Sequence, residues 1–209
     1  MATTLSDLHP HARSLAVESL RWSDQWWDAP SSLLDVDFAG QPAVRDSCWY
    51  ALGLLLRNEK GDTQRACAII DAVLATQFDE PGAVYHGTFP RWIGEARPPA
   101  ENPQMWRDYD PNWRQFIGTT LALILDEYSA RLAAAQIARM DRAIRLAVEG
   151  EPAARCPASY TNIALMKAAL LTWAGERYGE TGWVAYGEEF GQAVYDKRSV
   201  AFALRLTRE

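Results

Sequence analysis

The order in which two kinds of helix follow one another constrains this chain most. Residues 46–57, 116–125 and 163–174 are apolar nearly all round, as in Phe116, Ile117, Leu121, Leu123, Ile124 and Leu125. Each precedes a segment that is apolar along a single stripe. Ala66, Ile69, Ile70, Val73 and Leu74 recur at i, i+3, i+4, i+7 and i+8, with Gln64, Arg65 and Asp71 off the stripe. Ala133, Ile137, Met140, Ile144 and Val148 repeat the pattern, with Arg131, Arg139, Arg142 and Arg145 outside it. Trp183, Tyr186, Phe190 and Val194 form a third stripe. A helix apolar on every side belongs in an interior, and one with a single stripe lies at a surface. Alternation of the two predicts an all-α fold of stacked helical hairpins with an inner and an outer layer.

The chain, residues 1–209, reads as one domain. Residues 1–42 hold a leading helix, from about Ser6 to Trp27, and a loop to Pro42. Residues 43–196 hold three hairpins. The first is Ala43–Arg57 and Asp62–Phe78, with Gly61 as the left-handed stop between them. The second is Pro111–Tyr128 and Arg131–Glu149, and the third is Tyr160–Tyr178 and Thr181–Asp196. A polar residue opens each inner helix: Asp46, Asn112 and Asn162. This is a weak internal repeat, of the kind whose units bury their faces by stacking on neighbours. The tail, 197–209, is short, mixed in character and without a partner hairpin.

Composition narrows the function. At 48% hydrophobic and 23% charged, the chain is of ordinary globular type. A net charge of −6 argues against nucleic acid as a partner. No run reaches the roughly 18 apolar residues of a membrane span. The N-terminal MATTLSDLHPHARSL lacks the basic and apolar regions of a secretory signal, so a cytoplasmic location is expected. Cys48, Cys67 and Cys156 are odd in number and widely spaced, and read as buried free thiols. No phosphate-binding glycine loop, dinucleotide fingerprint or metal-ligating spacing occurs, so neither cofactor nor metal is expected.

Residues 79–110 follow no period and are broken by Pro81, Gly82, Gly87, Pro90, Gly94 and Pro98-Pro99. Long loops inside a compact domain are usually functional or disordered, and disorder normally lacks aromatics. This segment is rich in them, in YHGTFPRW (85–92) and MWRDYDPNW (105–113). It therefore reads as an ordered loop that lines a cleft.

Hairpins with apolar inner and amphipathic outer helices, and polar residues at one end of the inner set, resemble the (α/α) toroid or six-hairpin superfamily. The resemblance covers residues 43–196. That superfamily includes many glycoside hydrolases, helical domains of polysaccharide lyases and some terpenoid cyclases. Three hairpins stand here where a closed ring has about six. The resemblance thus implies part of a toroid, either a natural half-ring or a shortened chain. An apolar patch on 163–196 is expected to drive association, for example as a homodimer through the C-terminal hairpin.

In such toroids the pocket lies where the loops leading into the inner helices converge. The implied ligand is a saccharide or another polar ring. Asp46 and Asp110 form the best carboxylate pair for glycoside hydrolysis, one as acid and one as base or nucleophile. Each also has a structural role open to it, as a helix cap or dipole partner. Trp92, Trp106 and Trp113 offer faces for sugar rings, and Arg91, Asn112, Tyr160 and Asn162 offer hydrogen bonds. An alternative enzyme is a lyase, in which His86 and Tyr85 move protons while Arg91 and Asn112 neutralise a uronate carboxylate. A third reading is a non-catalytic helical scaffold.

Overall fold

The computed structural model describes residues 2–36, 40–151 and 155–206, with side chains as far as Asp196. Among these residues the fold is all-α, built from seven α-helices. They are α1 (Pro10–Asp24), α2 (Val44–Arg57), α3 (Asp62–Leu74), α4 (Trp113–Tyr128), α5 (Ala134–Glu149), α6 (Thr161–Tyr178) and α7 (Thr181–Leu206). Two short strands, β1 (Trp27–Asp28) and β2 (Leu33–Leu34), pair antiparallel in a stretch read from sequence as the end of the leading helix and a loop. Two residues per strand are too few for a period to register.

The hairpins are α2 with α3, α4 with α5, and α6 with α7. Across hairpins α2 packs on α4 and α4 on α6, while α3 packs on α5. This makes an inner row, α2–α4–α6, backed by an outer row. The interior follows the alternation. Ile117, Leu121 and Ile124 of α4 are fully buried, whereas α5 buries one stripe, Gln136, Met140, Ala143, Ile144, Ala147 and Val148. Each fully buried large apolar side chain contributes about 1.5–3 kcal/mol before entropy is counted. Gly118 lets α4 and α6 approach, since a Cβ there would lie 2.7 Å from Leu170 Cδ2.

Several boundaries differ from the sequence reading. α1 begins at Pro10 behind a short 3-10 turn at Leu5–Asp7, with His9 rather than Ser6 as its cap. α3 stops at Leu74 instead of Phe78, and α4 starts at Trp113. Asn58, not Gly61, ends α2 in the left-handed conformation, with its N–H on Leu54 O at 2.9 Å; Gly61, also left-handed, leads into α3. α7 runs on to Leu206, ten residues past the expected end at Asp196. The remainder of the expected tail, 207–209, lies outside the described residues.

The inner helices are not buried on every side. Trp49 is 42% exposed, Leu123 46% and Leu165 44%. Shallow depressions share Leu52 and Leu56 between α1 and α4, and Leu123 between α2 and α6. Together they trace a continuous apolar band over α1, α2, α4 and α6. An apolar face identifies a surface suited to burial, and among the described residues no element covers this one.

The loop between α3 and α4 is ordered. Phe78 N–H donates to Thr88 O at 2.9 Å and Gly87 N–H to Phe78 O at 2.7 Å. Val44 N–H donates to Arg91 O at 3.1 Å and Ile93 N–H to Pro42 O at 3.0 Å. The segment is thereby pinned to the N-terminus of α2, at the end of the inner row where the polar residues gather.

Candidate functional site

The N-terminal turns of α2, α4 and α6 carry the candidate site. The residues in the cap positions of these helices, Ala43, Asn112 and Tyr160, make no side-chain cap bond. Arg45, in the first turn of α2, lays its guanidinium over three rings: Trp49 at 4.6 Å, Trp113 at 5.1 Å and Phe116 at 5.2 Å. Cation–π contact of this kind holds the arginine and orients the rings around it. Its Nη2 lies 3.3 Å from Asp46 Oδ1, and both side chains remain about one-third exposed. Trp113 is buried and Phe116 half-buried, so Trp49 is the most exposed of the three rings.

From Trp113 the polar surface continues to Asn112, which is buried. Its Nδ2 donates to Tyr160 Oη at 3.3 Å, and its Oδ1 accepts from Arg155 Nη1 at 2.8 Å. Asp46, Trp113, Asn112 and Tyr160 are thus joined through contacts across the ends of all three inner helices. Asn162 is exposed on the first turn of α6. Asp110 accepts the Asn112 N–H at 2.9 Å, and its carbonyl accepts from Thr88 Oγ1 at 2.7 Å, so it shapes the lead into α4.

The remaining sequence candidates organise the loop. Tyr85 is buried; its hydroxyl donates to Glu80 Oε2 at 2.8 Å, a bond that raises its pKa, with burial acting the same way. His86 Nδ1 accepts the Glu80 N–H at 2.9 Å, so the neutral ring carries its proton on Nε2. Arg91 clasps Glu95 and donates to the Trp106 and Arg107 carbonyls at 3.2 and 2.9 Å, which ties residues 91–95 to 105–109. Trp92 stacks with Arg91 and is half-buried; Trp106 is exposed with a φ of 73°. A cavity of about 390 Å³ is lined from α4 to α7 and the turn after α5 rather than by this loop.

A second group was not singled out from the sequence. Arg114, Glu151, Arg155 and Lys167 meet in the interior, each side chain no more than 10% exposed. Arg114 donates through Nε to His86 O at 2.9 Å and through Nη2 to Val84 O at 2.8 Å. Arg155 Nε donates to Glu151 Oε1 at 2.7 Å, and Lys167 Nζ lies 3.8 Å from the same oxygen. Burial pushes Arg114 down to about 10 despite the Glu151 charge, and burial likewise lowers Lys167. The one available signal was the placement of Arg114, Gln115 and Lys167 within otherwise apolar helices, where a polar residue needs partners.

The class so defined is an all-α protein of stacked hairpins with a polar and aromatic surface at one end of its inner row. Over residues 13–204 the chain matches the family described as Domain of unknown function (DUF8769), and it belongs to that family. No curated protein and no solved structure matches it.

Proposed function

We propose that this chain recognises a saccharide, or a similar polar ring, at the N-terminal ends of α2, α4 and α6, as a glycoside hydrolase-like protein does. The observation that carries the reading is the Arg45 cluster, in which an arginine, an exposed Trp49 and the Asp46 carboxylate share one surface. Aromatic faces accept the C–H faces of sugars, and a few convergent polar groups set orientation. Tyr160 supplies a hydroxyl at the same end, and Asn112 positions it.

Hydrolysis requires a carboxylic acid at the glycosidic oxygen and a second carboxylate. Asp46 takes the first role because it stands beside the exposed ring and stays accessible. Asp110 is the second carboxylate, and it combines that role with its hold on α4. The elimination alternative draws on Tyr85 and His86; the Tyr85 hydroxyl and His86 Nδ1 are already held by Glu80, which supports hydrolysis as the first reading.

Isothermal titration with a panel of neutral and uronic-acid oligosaccharides tests the reading, alongside assays for reducing ends and for new unsaturation. At least one oligosaccharide should bind, and Trp49→Ala should weaken it by about three- to tenfold. Asp46→Asn should cut turnover by about a hundredfold or more while binding persists. Binding without turnover in the unaltered protein favours the scaffold reading, and no binding to any member removes the proposal.

A further inference from the structure

The surface around Asp46 and Trp49 does not stop at α2. Both residues also line a groove of about 280 Å³ between α1 and α2, and Leu20, Trp22, Leu52 and Leu56 form much of the rest of its wall. That volume is close to the lower end of the range for small-ligand sites. The two helices lie close here because Gly53 has no side chain: a Cβ there would stand 2.8 Å from Leu20 Cδ2. Trp22 is 48% exposed, and its ring tilts against that of Trp26 at 6.1 Å. Two exposed tryptophans thus border one groove, Trp22 from α1 and Trp49 from α2.

The chemistry of the groove differs from that of the surface it adjoins. Asp46 is the one charged residue in its wall, and it stands at the end nearest the α2 N-terminus. Two of the hydroxyls there are already spent. Ser23 Oγ donates to Ser19 O at 3.0 Å, and Tyr50 Oη donates to Asp24 Oδ1 at 2.5 Å. A second sugar unit would bring a hydroxyl on most of its carbons into a wall with few groups to bond them, and buried unpaired hydroxyls are costly. An apolar group gains from removal from water against the same wall. A hydrocarbon alone makes no use of the Arg45 and Asp46 charges at the groove's end.

We propose that the ligand is a glycoside with an apolar aglycone, a ring or a short alkyl chain. The sugar meets the Arg45 cluster, and the aglycone lies in the α1–α2 groove against Trp22 and Leu52. This inference rests on the saccharide reading and narrows it. Asp46 and Trp49 belong to both surfaces, so they mark the junction between them. The glycosidic oxygen of such a ligand joins its two halves at that junction, which is where the acid role given to Asp46 is needed.

Isothermal titration with the methyl and phenyl β-glycosides of glucose, galactose and glucuronic acid tests the proposal, with phenol as the aglycone alone. For at least one sugar the phenyl glycoside should bind about tenfold more tightly than the methyl glycoside and than phenol. Trp22→Ala, and Ser19→Trp as a plug on the groove's exposed side, should each bring the phenyl-to-methyl ratio towards one. Oligosaccharide binding without phenyl preference, or a preference that survives both substitutions, overturns this inference and leaves the saccharide reading standing. Phenol binding as tightly as the phenyl glycoside also overturns it, because the groove then acts without the sugar surface. A dimer that dissociates on Ser19→Trp assigns the groove to a second copy and overturns it as well. Binding of no saccharide of any kind removes both readings. Should either variant fail to fold, the phenyl, methyl and phenol comparison on the unaltered protein still decides.

Discussion

Arg114 holds two loop carbonyls, Val84 O and His86 O, while fully buried beside Glu151. Arg114→Met should therefore leave the two carbonyls without their donor, while Arg155 and Lys167 still face Glu151, at a cost of about 2–4 kcal/mol in urea unfolding. A different pair of charges sets the acid response. Burial alone would raise Asp24, but hydrogen bonds from Arg57 and Tyr50, with the charges of Arg57 and Arg65, outweigh it and hold the carboxyl below its usual 3.8. A carboxyl depressed in the folded state stabilises fully above its unfolded value, and that stability is lost as pH falls through the folded value. Asp24→Asn should therefore lower the melting temperature at neutral pH and lessen the further loss below about pH 4. An unchanged acid limb would show that Asp24 is not linked to folding. Little of this was legible in the sequence. Arg45 was not singled out from the sequence, because its three aromatic partners come partly from α4 and meet it only after the hairpins stack.

At the scale of elements, the periodicity of apolar residues carried the hairpins and their layer order. That signal is local and repeated, so it survives without knowledge of the neighbours. Chain ends of helices were less legible, since Asn58 and Gly61 both offered the left-handed conformation and only the packed turn selects which one stops α2. The aromatic loop was read as ordered, but several of its rings pack on one another: Tyr85 meets Phe78 edge-on at 5.4 Å and Tyr109 at a tilt at 6.1 Å. The loop meets the end of α5 at Gly150, where a Cβ would lie 2.0 Å from His86 O. Gly150→Ala must push loop and helix apart and should cost about 1–3 kcal/mol, measured by thermal unfolding. Amide exchange should also rank the layers, with the centre of α4 slower than the centre of α5. The reverse ranking would contradict the inner and outer assignment.

Among the described residues, the apolar band over α1, α2, α4 and α6 is open rather than packed. The sequence placed the sticky surface on the α6–α7 pair, and exposed Tyr195 lies there, but Leu123 and Trp49 add a second surface on the inner row. Sedimentation velocity separates the two. If association uses the band, Leu123→Glu shifts the chain to monomer and Tyr195→Glu does not; the opposite pattern assigns it to the C-terminal hairpin. A monomer at all concentrations in the unaltered protein contradicts association through either.

The proposed ligand site lies at one end of the inner row. Hydrogen–deuterium exchange, with and without the tightest-binding oligosaccharide of the panel, tests that placement. Protection should appear in the first turns of α2, α4 and α6, around Arg45, Asn112 and Tyr160. Protection confined instead to the opposite helix ends, near Arg57, Tyr128 and Tyr178, would contradict it.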